Sequence, residues 1–301
     1  MAPRFFYPDT PDLPLPEKHR FPISKYRLLR EKVMRERLLG HAQLVPSPLA
    51  SRVELQRAHS DAYVMRVLNG TLSPAEQRQI GLPWSPTLAR RSRATVGGSL
   101  AAARQALLHG VSGQLAGGTH HAHREFGSGY CVFNDLAVAA LTLLAERLAG
   151  RVAILDLDVH QGDGNSAILA PNPDVFVASV HGELNFPFTK IASDLDIGLP
   201  DGTGDIDYLA AVEQAFEAIA AFNPDILLYL AGADALESDS LGRLSVSAGG
   251  LAERDRFVMR RCRAAGLPLS IVAGGGYAKP IAATVDAYAA TWSAAREVFE
   301  L

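Results

Sequence analysis

Asp156, Asp158 and His160 stand at the end of an apolar run, in RVAILDLDVHQGDGNS (residues 151–166). Side chains alternate along a strand, so residues spaced by two share a face for as long as the strand lasts. Two carboxylates facing one way repel each other, and burying either one unpaired is expensive. A divalent cation removes that penalty. Two carboxylates and an imidazole, with a position left open for water, form a familiar catalytic Zn²⁺ set, and the same donors accept Fe²⁺. Asp234 closes another apolar run, LLYLAGAD (227–234), and is the natural third ligand. A blander reading makes Asp156 and Asp158 helix caps or acceptors of backbone amides. That accounts for one carboxylate at a strand end, but poorly for the whole D-L-D-V-H-Q-G-D-G stretch.

A second cluster is GGTHHAHREFGSGYCVFND (117–135), where His120 and His121 follow a Gly-Gly turn. A lone histidine is usually structural. An adjacent pair beside a carboxylate-rich site reads as acid–base machinery, because imidazole exchanges protons near neutrality and an Asp behind it can orient it. His123 does not share this case and is expected as an exposed loop residue. Cys131 is expected to be buried near the site and not to act as a nucleophile. The third element, AGGGYAKP (273–280), delivers Tyr277. A phenol at the mouth of the site can donate to an oxyanion, although a glycine-rich turn with a packed tyrosine would look the same.

These residues need a frame that brings strand ends together. The near-continuous apolar runs Val152–Leu157, Val175–Val180, Asp225–Leu230 and Leu269–Ala273 alternate with helical stretches, which predicts an α/β fold with a mostly parallel sheet covered on both faces. Such sheets bind ligands at the carboxyl ends of their strands. All four runs end in polar elements: Asp156 to His160, Ser179-Val-His181, Ala231 to Asp234, and Gly274 to Tyr277. Helices are predicted over 24–39, 59–70, 74–80, 87–109 and 134–149. Gly97-Gly98 marks close packing inside the fourth, and Asn134-Asp135 caps the fifth. Residues 1–25, rich in Pro, Asp and aromatics, read as an irregular arm. No linker or repeat divides the 301 residues, so one domain over 1–301 is expected.

A net charge of −3 argues against a general nucleic-acid binder. The basic stretches Arg27–Arg37 and Arg90–Arg93 read as solvated helix faces. Two cysteines cannot build a disulfide framework. No signal-like segment opens the sequence, and no apolar run reaches the ~18 residues of a membrane span. Together these features predict a cytoplasmic protein.

The chain resembles the histone deacetylase family of the arginase–deacetylase group. The resemblance is carried by HSDAYV (59–64), the GG-x-HHA block, the D-L-D-V-H-Q-G-D-G block, the GAD block and the GGGY block, in this order. LPLPEKHRFPISKYRLLRE (13–31), Gln161 in place of a second histidine, and LGRLSVSAGGLAERD (241–255) are most similar to class IV enzymes and their bacterial relatives. The resemblance implies that Asp158, His160 and Asp234 hold Zn²⁺. It implies that His120 and His121 form the active-site pair, backed by Asp156 and Asp163, and that Tyr277 contacts the acyl oxygen. Gly129 and Tyr130 would line an acyl-lysine channel, with Phe186 or Phe188 opposite, Leu241 at the rim and Gly275 alongside. A structural K⁺ would take oxygens from Asp156, Asp158, His160, Ser179 and Val180.

The implied reaction is metal-assisted hydrolysis of an acyl-lysine amide. A small acylated amine such as an acetylated polyamine is the main rival substrate; acidic rim residues would favour it, with Glu183, Glu237 and Asp239 as candidates. An arginase-like site with two Mn²⁺ ions would want more bridging carboxylates. An inactive binding module would lack one of the expected residues.

Overall fold

The computed structural model describes residues 2–16 and 18–301. Eight strands form a single sheet in which every neighbouring pair is parallel, in the order β2-β1-β3-β8-β7-β4-β5-β6. The strands are β1 (Arg4–Tyr7), β2 (Gln43–Pro46), β3 (Val111–Gln114), β4 (Val152–Asp156), β5 (Val175–Gly182), β6 (Leu195–Leu199), β7 (Ile226–Ala231) and β8 (Leu269–Ala273). The helices are α1 (Ser24–Glu36), α2 (Arg52–Leu55), α3 (Asp61–Asn69), α4 (Pro74–Ile80), α5 (Pro86–His109), α6 (Asp135–Ala145), α7 (Asp163–Leu169), α8 (Asp205–Phe222), α9 (Ala248–Ala265) and α10 (Ala282–Phe299).

Strand alternation explains how the sheet is covered. On β4, Ala153 and Leu155 join one core with Leu29 of α1, Tyr208 of α8, Met259 of α9 and Trp292 of α10. Val152 and Ile154 face the other way, into a core with Tyr63 of α3, Leu100 of α5 and Leu136 of α6. A strand apolar at every position is what burial on both faces demands. Each large aliphatic side chain so buried contributes roughly 1.5–3 kcal/mol. No helix among the described residues is long and apolar enough to cross a membrane.

Two departures from the sequence reading concern the edges. Residues 4–7, expected within an irregular arm, form β1, which pairs with β2 on one side and β3 on the other. Phe5 is fully buried and packs edge-on against Trp292 at 5.9 Å, so its aromatics are core residues. The helix expected over 134–149 ends at Ala145, where Arg147 turns to a left-handed φ of 56°. The paired glycines of α5 do mark close packing: a Cβ on Gly97 would strike the backbone of Pro48 and Ala50. The Asn134 side chain caps α6 by accepting from Ala137 N at 2.8 Å.

Candidate active site

β4 ends at Asp156, and the chain then turns on its own carboxylates. Asp158 N donates to Asp156 Oδ1 at 3.2 Å, and His160 N donates to Asp158 Oδ1 at 3.0 Å. These turns, rather than a continued strand, aim Asp158 and His160 into one place. Asp234, three residues beyond β7, meets them there: Val159 N donates to its Oδ1 at 2.9 Å. One donor atom from each of Asp158, His160 and Asp234 lies within 4.8 Å of the others, and all three residues are buried.

The donor atoms of this triad converge on one point. His160 Nδ1 lies 3.0 Å from Asp158 Oδ1 and 3.2 Å from Asp234 Oδ2. Burial would lower the His160 pKa, but its bonds to both carboxylates outweigh that and hold it up to about 10. Burial and the neighbouring Asp158 charge push Asp234 up to about 7. One imidazole nitrogen and two carboxylate oxygens thus lie where they could bond a single divalent cation. That N/O/O set fits a catalytic Zn²⁺ site with an open position.

Gly275 is required by the same crowding. Its N–H donates to Asp158 Oδ2 at 2.5 Å, and any Cβ there would collide with the Asp234 and Asp158 carboxylates. It therefore lies against the triad, and it shares a cavity lining with Gly129, Tyr130 and Tyr277.

The histidine pair is held by buried carboxylates. His120 Nδ1 donates to Asp156 Oδ2 at 2.8 Å, and His121 Nδ1 donates to Asp163 Oδ1 at 2.6 Å. Each Nε2 is left for the site. The two rings differ electrostatically. For His120, burial is outweighed by the charges of Asp156 and Asp158, which raise its pKa to about 9. For His121, burial and the adjacent His120 charge prevail over Asp163 and lower it to about 4. The two rings are thus biased in opposite directions, His120 toward its protonated form and His121 toward its neutral form. His123 is not the exposed loop residue expected: its Nε2 donates to Asp163 Oδ2 at 3.0 Å, and its side chain is only 13% exposed.

The GGT turn before this pair is organised by a residue the motif reading used only as part of a helix cap. Asp135 is fully buried and accepts from Gly118 N at 3.0 Å, Thr119 N at 2.7 Å and Ser99 Oγ at 2.5 Å.

Tyr277 sits across from the triad, its ring 6.5 Å from that of His160. Its backbone N donates to Asp239 Oδ2 at 2.6 Å, while Asp239 Oδ1 accepts from Leu241 N and Gly242 N. None of the hydrogen bonds among the described residues uses the Tyr277 hydroxyl. Burial, then Asp158 and Asp234, push its pKa well above the usual phenol value, so it remains a donor. Beneath the ring lies Lys25 of α1, buried, with Nζ 5.0 Å from the Tyr277 centroid and donating to Gly274 O and Gly276 O at 3.2 Å each. Nothing in the motifs signals Lys25, because its partners lie about 250 residues away in the chain.

A cleft of about 700 Å³ leads from the surface to His121, His160 and Tyr277, walled by Gly129, Tyr130, Phe186 and Leu241. Phe186 packs edge-on against His121 at 4.9 Å, whereas Phe188 is 84% exposed at the mouth. Tyr130 holds a left-handed φ of 66° and packs at a 42° tilt against Phe21 at 5.1 Å, which fixes that wall. Behind the triad is a smaller internal cavity of about 70 Å³, lined in part by Cys131, Arg91 and Gly275. Cys131 is buried, and burial pushes its thiol pKa up, away from nucleophilic use. Ser179 lies opposite Asp156 in the β4–β5 register, with its hydroxyl 2.9 Å from His181 Nδ1, and Val180 follows it on β5.

A histone deacetylase domain model matches residues 19–294. An uncharacterised protein of Picosynechococcus sp. is 43% identical, over 99% of this chain and 99% of its own. Histone deacetylase 2 of Arabidopsis thaliana is 29% identical, over 89% of this chain and 72% of its own. The crystal structure of the HDA15 HD domain shares the fold, with a TM-score of 0.81 at 22% identity, over 99% of this chain and 88% of that one.

Proposed function

The chain belongs to the histone deacetylase family, and from that premise we propose that it is a zinc-dependent hydrolase removing acetyl or longer acyl groups from the ε-amine of lysine. The observation that carries the reading is the convergence of Asp158, His160 and Asp234 from two strand ends, beside two His–Asp pairs. When bound by these three residues, the cation would acidify a water and polarise the acyl carbonyl.

The remaining chemistry falls to the chain's own groups. His121, neutral and oriented through Nδ1 by Asp163, takes the proton of the attacking water at Nε2. The amide C–N bond breaks, and the proton passes to the departing lysine amine. His120, oriented through Nδ1 by Asp156, presents its Nε2 to the reacting centre as a second proton source. Tyr277 donates its hydroxyl to the acyl oxygen as negative charge develops there. Phe186, Tyr130 and Gly129 wrap the aliphatic stem of the lysine and exclude water. Oxygens of Asp156, Asp158, His160, Ser179 and Val180 are the donors proposed for a structural monovalent cation, for which an all-oxygen set is suitable.

The polyamine reading finds less support. Among the described residues no carboxylate lines the cleft, while Arg20 and Arg243 do. Asp239 turns inward to the Tyr277 loop. Arg243 is paired with Asp201 at 3.0 Å, so its charge is partly compensated there. A two-metal site is also less favoured, because Asp156 is already bonded by His120 and Asn165.

The test is turnover of acyl-lysine peptides, acetyl through myristoyl, with acetylspermidine alongside, using Zn²⁺-loaded protein and a chelator control. Chelator-sensitive cleavage of the peptides is expected. Preference for acetylspermidine would overturn the lysine assignment.

A further inference from the structure

The motif that the reaction above leaves unused is His123. It follows the active-site pair by two residues and points to the same carboxylate. Asp163 has two oxygens: Oδ1 takes the His121 Nδ1 proton at 2.6 Å, and Oδ2 takes the His123 Nε2 proton at 3.0 Å. An ionised carboxylate only accepts, so both imidazoles must donate, which fixes the tautomer of each. Asp163 is ionised: burial would raise its pKa, but the bonds from His121 and His123 bring it well below the usual range.

The His123 ring is itself held. It stacks on Phe126 at 4.4 Å with an interplanar angle of 19°, and its backbone N donates to Phe126 O at 2.8 Å. Its carbonyl accepts from Nδ1 of the buried His59, whose Nε2 accepts in turn from Asn134 N. A continuous line of bonds therefore runs from the α6 cap through His59 to the His123 loop. It then runs from the His123 ring through Asp163 to His121.

We propose that His123 is a positioning residue: it grips the far oxygen of Asp163 and so fixes the carboxylate plane against which His121 is aligned. The inference rests on the deacylase reading for its kinetic consequence, though not for its geometry. Outer partners of metal ligands change affinity or activity ~10–100-fold when removed, and a loss on that scale is expected for this carboxylate-orienting bond.

Two variants separate alignment from packing. His123→Phe keeps an aromatic ring to stack on Phe126 and removes the donor; His123→Gln returns a donor. In steady-state hydrolysis of an acetyl-lysine peptide, His123→Phe lowers kcat about tenfold or more, leaves KM within about twofold, and His123→Gln recovers much of the loss. Imidazole ¹H–¹⁵N NMR of the wild-type protein shows His123 as the Nε2–H tautomer, and the His121 Nδ1–H resonance moves in His123→Phe. An Nδ1–H tautomer for His123 overturns the proposal, even where no variant folds. So does a His123→Phe enzyme with unchanged kcat and an unmoved His121 resonance. Failure of the wild-type protein to cleave any acyl-lysine peptide contradicts the deacylase reading, and the NMR result then decides the role of His123 separately.

Discussion

Tyr277→Phe isolates one hydroxyl. The Tyr277 ring is held by Lys25 beneath it at 5.0 Å and by Tyr130 at 6.2 Å, and a phenylalanine keeps both contacts. The hydroxyl has no hydrogen-bond partner among the described residues, so its removal leaves no buried group unsatisfied. Thermal stability and metal content should therefore stay close to wild type. Activity should not. Losing one donor to a developing oxyanion reduces kcat by ~10²–10³, or about 3–4 kcal/mol. Because burial keeps the phenol protonated well above the usual range, the loss should be the same across neutral and mildly alkaline pH. The assay is steady-state hydrolysis of an acetyl-lysine peptide at several pH values, with metal content and a melting curve on the same sample. A folded, metal-loaded variant with kcat within about threefold of wild type would show that the hydroxyl does not face the reacting carbonyl.

Other outcomes follow from buried groups. His59 is buried and neutral, its pKa pushed down by burial from the usual 6.5 to about 4. The unfolded chain binds this proton first, so stability present above pH ~6.5 is lost as pH falls toward 4, by an amount on the order of 3 kcal/mol. Urea unfolding at several pH values should show that slope shrink in His59→Gln; equal slopes would refute it. Lys25→Met should destabilise the fold by about 1.5–3 kcal/mol, the scale of hydrogen bonds from a charged donor. It should also weaken metal binding, because the carbonyls of Gly274 and Gly276 flank the Gly275 amide that holds Asp158; an unchanged metal Kd would count against that link. Arg254 donates to Asp255, Tyr208 and the Gly232 carbonyl in full burial. Arg254→Met leaves the Asp255 charge without its cation and should cost about 3–5 kcal/mol in chemical denaturation.

The parts of the molecule legible in the sequence are those whose signals are local. β4, β7 and β8 are apolar at nearly every position because both faces are covered, and such runs stand out without any tertiary knowledge. β1, β2, β3 and β6 are four or five residues long and mixed in composition. Their neighbours, and not their own pattern, make them strands, so the RFFY segment reads as part of a loose arm until β2 and β3 are seen on either side of it. The same division holds at the site. Asp158 and His160 are two residues apart, and the paired histidines are adjacent, so spacing exposes them. Lys25, Asp239 and the grip of Asp135 on the GGT turn depend on contacts between distant segments. His123 sat within a legible motif, yet only the fold brings Asp163 to its Nε2.

The most direct measurement is a titration of Zn²⁺ into metal-stripped protein, with hydrolysis of an acetyl-lysine peptide read at each point. The account predicts activity that rises from near zero and breaks at one equivalent per chain, with Asp234→Asn failing to reach that plateau at the same metal concentration. Activity that survives complete metal removal, or that needs two equivalents, would contradict a single-metal hydrolase built on Asp158, His160 and Asp234.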